Sequence, residues 1–303
     1  MSPVIPQYPD FMKLGKECRK DIEVFVAAHP PYSDFNFVSL WNWNTDGSTQ
    51  VSMLNNNLVV RLKDYTGDKC VYSLLGENMI RESIETLLRT VDLQGSEIKL
   101  IPESIVNHAH PIPMIEAIED RDQHDYIYSI SELISLSGSQ YKKKRNLYKG
   151  FVAKYRPSLL TCGIKSGDTK NRVLDLLHDW ESNTIKSKVN AGEIIAIERL
   201  FELDDSSRIF VFFLLIGEKV EGFAIAELLH SDHCMIHFQK SNHRFAGSTE
   251  YLLVESLKIL QPLGMKFLNY QQDLGQEGLR IMKELWRPHH YLKKYKISKK
   301  INP

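Results

Sequence analysis

The sequence predicts an α+β protein of two units, each a mixed, mostly antiparallel sheet flanked by helices. Three observations lead there. The chain has 303 residues, about twice an average domain. Short β-patterned runs alternate with segments of helical period in both halves. Charge changes sign in the middle. Residues 114–125 hold five acids against Arg121 alone, whereas Ser137–Leu160 holds seven Lys or Arg and no acid. We place an N-terminal unit at 1–125, a basic linker helix at 126–158 and a C-terminal unit at 159–303.

The elements follow in order. Asp10 to Ala28 reads as a helix, with Phe11, Leu14, Cys18, Ile22 and Phe25 at helical spacing, and Pro30-Pro31 ends it. Leu58–Leu62 and Cys70–Leu74 read as strands around the turn-rich Asp64–Asp68. Glu77 to Val91 is a helix with Ile80, Ile84, Leu87 and Leu88 on one face. Glu97–Ile101 is a strand closed by Pro102. The basic stretch from Ser137 to Leu160 is amphipathic, Tyr141, Tyr148, Phe151 or Val152, and Tyr155 marking one face and Lys142, Arg145 and Lys149 another.

The second half is more regular. Lys170–Ser187 and Gly192–Leu203 read as helices. Strands follow at Arg208–Ile216, Val220–Leu229 and Cys234–Lys240, the first two joined by the hairpin signal Gly217-Glu-Lys. A loop with Gly247 opens a helix at Thr249–Leu260. Met265–Gln271 is a strand, Gly275–Trp286 a helix and Tyr291–Ile297 a last strand.

Composition removes several classes. At 43% apolar and 25% charged residues the chain can bury a normal core, which argues against disorder and fibrous repeats. Lys+Arg and Asp+Glu are both 38, so bulk polycation binding is not indicated. The apolar run Ile209–Ile216 is too short to span a bilayer, which takes about 20 residues. No signal peptide is expected at the N-terminus. Four scattered cysteines without C-x-x-C point to reduced thiols and a cytoplasmic protein. No Walker loop, G-x-S-x-G elbow or G-x-G-x-x-G occurs.

Several segments carry a specific resemblance. Asp125-Tyr-Ile-Tyr128 with Glu132-Leu133, Leu136-Ser-Gly138 and Tyr141–Asn146 resembles a signature of the DUF2156 family. That family is the relative of the C-terminal domain of phosphatidylglycerol lysyltransferases. Asn269–Arg280, Lys283, Arg287-Pro288 and Lys293–Tyr295 resemble its most characteristic segment, and His237–Lys240 with Gly247 its fourth strand and following loop. The element order of the second half is that of the acyl-CoA N-acyltransferase (GNAT-like) core, with Leu159–Cys162 as the short opening strand. The resemblance implies two tandem GNAT-like domains. It also implies transfer of an aminoacyl group from aminoacyl-tRNA to an amine or hydroxyl acceptor, a small molecule or a lipid head group. Two positions depart from the family, which commonly has Glu where Gln239 and Gln271 stand. No counterpart of the lysyltransferases' membrane-spanning domain is expected.

The candidate site follows from chemistry and resemblance together. Arg244, Gly247 and Ser248 lie at a strand-to-helix turn that could hold donor phosphates on orphan N–H groups; an ordinary helix cap is the other reading. Asp273 and His237 are candidate bases, with a capping carboxylate and a packed strand histidine as alternatives. Lys240, Asn269, Gln271, Arg280 and Lys283 would bind and orient substrate. Lys142, Lys143, Lys144 and Arg145, and the six Lys or Arg of residues 287–303, form basic patches for tRNA or plain solvated faces. His230, His233, Cys234 and His237 lack metal-ligand spacing, so no metal is expected. No tightly bound cofactor is expected; CoA or aminoacyl-tRNA is the donor. An acyl-CoA-dependent N-acyltransferase and a non-catalytic ligand-binding tandem domain stay open.

Overall fold

A computed structural model describes residues 4–109, 115–183, 191–204 and 207–300. The chain divides into two compact units. One comprises Met1–Asp125, Gln272–Ile281 and Tyr291–Pro303; the other comprises Tyr126–Gln271 and Met282–His290.

The first unit opens with β1 (Met12–Lys13), α1 (Arg19–Val26) and α2 (Phe37–Trp43). Then come β2 (Gln50–Leu54), β3 (Asn57–Lys63), β4 (Cys70–Leu75), α3 (Ile80–Gln94), β5 (Glu97–Pro102), α4 (Glu103–Ala109) and β6 (Ile115–Glu119). The second unit's elements are β7 (Asp125–Ser129), α5 (Ile130–Ser135), α6 (Lys142–Tyr155), β8 (Ser158–Gly163), α7 (Thr169–Asn183) and α8 (Ala191–Leu200). They continue with β9 (Ile209–Ile216), β10 (Lys219–Leu228), β11 (His233–Ser241), α9 (Ser248–Leu260), β12 (Phe267–Asn269) and, in the second sheet, β13 (His290–Leu292), while α10 (Glu277–Glu284) belongs to the first unit up to Ile281 and to the second from Met282. The chain then returns to the first sheet as β14 (Lys294–Lys299).

The first sheet runs β1-β2-β3-β4-β5-β14-β6, with β4 and β5 parallel. Its core packs Val59, Tyr72, Leu74 and Ile98 of the sheet against Ile84, Leu87, Leu88 and Val91 of α3. These positions of α3 share one face at helical spacing, and burying them stabilises the unit by about 1.5–3 kcal/mol per side chain. Gly95, at φ 64°, ends the helix in the left-handed region that glycine adopts without cost.

Several first-unit expectations are corrected. The N-terminal part of the helix expected at Asp10–Ala28 is a strand, because Met12 and Lys13 pair with Val51 and Gln50. The backbone at Gly15 is extended, and the α-helix begins only at Arg19. Helix α2, capped by the Asn36 side chain accepting from Ser39 N at 2.8 Å, was not foreseen. The acidic segment is strand β6, with Ile115 and Ala117 packed toward the core. The final strand is two short ones, and β14 inserts between β5 and β6 of the first sheet.

The second sheet runs β13-β7-β12-β11-β10-β9-β8, with β11 and β12 parallel. Helix α9 packs across β9, β10 and β11, and α6 packs on α9. The segment expected as a linker is therefore partly a strand, β7, and partly a helix seated within the second unit. Phe151 and Lys144 of α6 are buried; Lys144 donates to Glu250 Oε1 at 2.9 Å and stands 4.4 Å over the Trp286 ring. The helix expected over Lys170–Ser187 is α7; its predicted end, 184–187, and the Trp180 side chain lie outside the described residues. The strands expected at 208–216, 220–229 and 234–240 are β9, β10 and β11.

Candidate active site

In the second unit, β11 and β12 pair over only three residues, His233–Met235 against Phe267–Asn269. Strand β11 then continues to Ser241 on β10 alone. The chain after β12 turns away, with Gln271 at φ 56°. The two strands thus part in the middle of the sheet, and a backbone edge is left to be satisfied by side chains. A bulge stands beside this opening: Phe238 faces Ile225 and Ile236 faces Ala226, so His237 is the extra residue of β11.

His237 is buried, with its side chain 1% exposed, and its Nε2 lies 3.0 Å from Glu227 Oε2. Arg208 Nη2 donates to the other oxygen of Glu227 at 3.0 Å. A carboxylate oxygen only accepts, so in the neutral imidazole the proton sits on Nε2 and the lone pair on Nδ1. Nδ1 is buried and has no hydrogen-bond partner among the described residues. The arrangement is a histidine held by a carboxylate with its acceptor nitrogen unspent.

The opening is lined by polar side chains that bridge it. Gln271 Nε2 donates to the Ile236 carbonyl at 3.1 Å. Tyr270 Oη donates to Gln239 Oε1 at 3.0 Å, and Gln239 Nε2 donates to the Thr249 carbonyl at 3.1 Å. Asn269, fully buried, accepts from Gln271 N at 2.7 Å and fixes the turn. Lys283 is buried and donates to the carbonyls of Tyr270 and Gln271. Its ammonium stands 4.8 Å from the Tyr270 ring and 5.4 Å from the Tyr126 ring. Burial pushes the Tyr270 hydroxyl well above its ordinary pKa, so it stays a donor at neutral pH. Lys240 pairs with Glu193 Oε2 of α8 at 2.9 Å.

The other candidates are placed differently. Asp273 belongs to the first unit and is fully buried. Its two oxygens take the Nε/Nη2 edge of the Arg280 guanidinium, Nε donating to Oδ2 at 2.9 Å and Nη2 to Oδ1 at 2.8 Å. Oδ1 also accepts from Gly275 N at 2.8 Å. Arg280 further donates to Asp122 at 2.6 Å, and these bonds raise its already high pKa. A carboxylate so encased is a structural clamp, and Arg280 is spent on it.

At the turn before α9, Gly247 does start the helix, with φ 96°. A Cβ there would press on the Leu147 carbonyl and lie 2.8 Å from Phe151 Cβ, so α6 covers the glycine. Ser248 is buried and donates to Ser241 Oγ at 2.9 Å, while Arg244 is exposed. The turn's glycine serves close helix packing.

Of the four basic residues on α6, Lys142 and Lys143 are exposed. Lys144 is buried, and Arg145 donates to the carbonyls of Leu136 and Gly138. In the C-terminal patch, Lys293, Lys294, Lys296 and Lys299 are all ion-paired within the first unit. Among the described residues no group of three or more His, Cys, Asp or Glu is placed to hold a metal ion. His233 stacks on Phe267 at 5.1 Å, and burial pushes the Cys234 thiol up to about 12. Glu227 and Arg208 were missed by the sequence reading. The signal was there, a lone carboxylate in the apolar run Phe223-Ala-Ile-Ala-Glu227 and an arginine where β9 begins.

Two mixed sheets flanked by helices, the second with a parted parallel pair, define a tandem GNAT-like protein. The sequence matches the family described as phosphatidylglycerol lysyltransferase, C-terminal, over residues 28–298. The chain belongs to that family. A conserved protein of unknown function from Bacteroides thetaiotaomicron is 22% identical, with a TM-score of 0.82 over 96% of this chain and 99% of that one. L-PGS from Bacillus licheniformis is 14% identical, with a TM-score of 0.63 over 99% and 95% of the two chains. A tandem GNAT protein from the clavulanic acid biosynthesis pathway is 9% identical, with a TM-score of 0.50 over 97% and 99%. An uncharacterized protein of Mycoplasmoides gallisepticum is 22% identical over 174 residues, 57% of this chain. The match spans 56% of that relative's length. Among the described residues no helix is long and apolar enough to cross a membrane.

Proposed function

We propose that the chain is an aminoacyltransferase that moves an activated aminoacyl group from aminoacyl-tRNA to an amine or hydroxyl acceptor. The observation that carries this reading is the parted β11/β12 pair with His237 at the bulge beside it. The donor ester lies in that opening, its carbonyl oxygen against the backbone of the β11 edge, where negative charge develops during attack. To admit it, Gln271 and Tyr270 release their bridges. Nδ1 of His237 takes the proton of the attacking amine or hydroxyl, and the resulting imidazolium is stabilised by Glu227. The proton then passes to the departing ribose oxygen. Lys283 and Lys240 orient the acceptor. The donor is already activated, so most of the acceleration comes from positioning.

The family membership supports transfer chemistry, and the exposed Lys142 and Lys143 of α6 support a tRNA donor. A CoA donor is less well served, because Gly247 is buried against Leu147 and Phe151 of α6. The test is single-turnover transfer from a labelled aminoacyl-tRNA pool to amine and hydroxyl acceptors, with acetyl-CoA run in parallel. Transfer from tRNA that falls about 10²–10⁴-fold in His237→Gln supports the reading. Turnover of acetyl-CoA alone establishes the acyl-CoA alternative, and no turnover with either counts against the transferase reading and favours the non-catalytic one.

A further inference from the structure

The first sheet carries a row of side chains that the transfer reading does not use. Lys13 of β1 pairs with Gln50 of β2, Gln50 with Arg61 of β3, and Arg61 with Tyr72 of β4. Directly paired residues share a face of the sheet, so four neighbouring strands present Lys, Gln, Arg and Tyr side by side. Strand spacing sets Lys13 and Arg61 about 10 Å apart at their Cα atoms.

Arg61 is half-buried and locked. Its Nε donates to Cys70 Sγ at 3.2 Å, its Nη1 donates to Gln50 Oε1 at 3.1 Å, and its guanidinium lies 5.7 Å from the Tyr72 ring. All of these partners are neutral. Among the described residues no carboxylate pairs with Arg61 or with the exposed Lys13. A half-buried guanidinium without a counter-charge carries an uncompensated desolvation cost. Lys13, Gln50, Arg61 and Cys70 line a groove with a volume of about 570 Å³, within the span of about 300–1,000 Å³ usual for small-ligand sites. The other lysines at its rim are already neutralised, Lys63 by Asp68 at 2.8 Å and Lys69 by Glu97 at 2.5 Å. The remaining rim carboxylate, Asp46, accepts from Ser48 N at 2.9 Å.

We propose that this groove is a second ligand site, holding a small phosphorylated molecule with two anionic groups, one on the Arg61 fork and one on Lys13. The guanidinium is planar, pre-oriented and retains donors on Nη2, which suits a phosphoryl group. Two cations on one face favour a diphosphate over a single phosphate.

The test is calorimetric titration of the full chain with inorganic pyrophosphate at low ionic strength, with phosphate and citrate as comparison ligands. Saturable pyrophosphate binding is expected, tighter than phosphate and citrate, and weakened at least about tenfold in both Arg61→Ala and Lys13→Ala. Lys13 is exposed on an edge strand, so its variant reports even if Arg61→Ala fails to fold. Lys142→Ala/Lys143→Ala, on α6, should leave the binding unchanged, which separates this site from the tRNA reading. Absence of pyrophosphate binding, citrate binding in preference to it, or unaltered affinity in Lys13→Ala would each overturn the proposal.

Discussion

At the residue scale, the most demanding feature is a buried ion cluster in the first unit. Lys294 is fully buried and donates to Asp125 Oδ1 at 2.9 Å, and its second ion-pair partner is Asp34. Ser33 donates from N and Oγ to Asp125 at 2.8 and 2.6 Å, and Gln272 Nε2 donates to Asp34 at 3.2 Å. Burial raises the Asp34 carboxyl above its ordinary range, Lys294 pulls it back and Asp125 pushes it further up. For Lys294 burial pulls the pKa down, but the two carboxylates outweigh it and the net shift is upward. Replacing Lys294 by Met leaves two buried carboxylates without their cation. Urea denaturation at neutral pH should show a loss of about 3–5 kcal/mol, partly restored by adding Asp125→Asn. The sign for pH follows from a raised lysine. Its contribution is full below the ordinary value of 10.5 and fades as pH rises through the folded value. The urea midpoint difference between wild type and Lys294→Met should therefore shrink above that pH; a constant difference would mean the ammonium is not the stabilising form. A second residue-scale case is Gly247. Its positive φ and its close approach to α6 predict that Gly247→Ala lowers stability by about 1–3 kcal/mol before any ligand is considered. A thermal melt equal to wild type would refute this.

At the element scale, α6 shows how a basic helix divides its charges. The sequence pattern put Lys142, Lys143, Lys144 and Arg145 together as one patch. The fold turns Lys144 inward onto Glu250 and Trp286 and spends Arg145 on the carbonyls that end α5 and follow it. If tRNA binds along α6, only Lys142 and Lys143 of this run release counterions. Filter binding of tRNA across salt concentrations should then show a shallower slope of log affinity against log salt in Lys142→Ala/Lys143→Ala, by about 0.7–0.9 for each phosphate that no longer meets a lysine. Lys144→Met should instead destabilise the chain with little change in that slope. An unchanged slope in the double variant would remove α6 from the tRNA interface. The same element view explains why β11 was legible and its opening was not. Alternation in Cys234–Lys240 reads directly as a strand. The early end of its pairing with β12 depends on a partner about thirty residues away in the chain and the bulge at His237 on its register against β10, neither of which a local pattern reports.

At the scale of the whole molecule, the first sheet is closed by the last strand of the chain. β14 lies between β5 and β6, pairing Lys294 with Pro102 on one side and Tyr295 with Glu119 on the other. Removing it opens an interior edge and strips the buried carboxylates of Lys294. A fragment ending at Asp125 should thus give a spectrum of dispersed resonances only when a peptide carrying 291–303 is supplied; a folded fragment without it would show β14 to be dispensable. Local chemistry settled much in advance. The α+β class, the helix at α3, the hairpin of β9 and β10 and the helix beginning at Gly247 follow from periodicity, turn residues and glycine's freedom, all of which act within a few residues. The motif residues around Tyr126–Arg145 and Asn269–Lys283 also carried the family. Tertiary structure alone decided which sheet the final strand joins, that Asp273 is clamped by Arg280, and that His237 has Glu227 behind it. The physical reason is common to all three. Strand pairing and the neutralisation of buried charge depend on register and burial that only the folded chain sets, and a sequence states which groups must be satisfied but not which partner satisfies them.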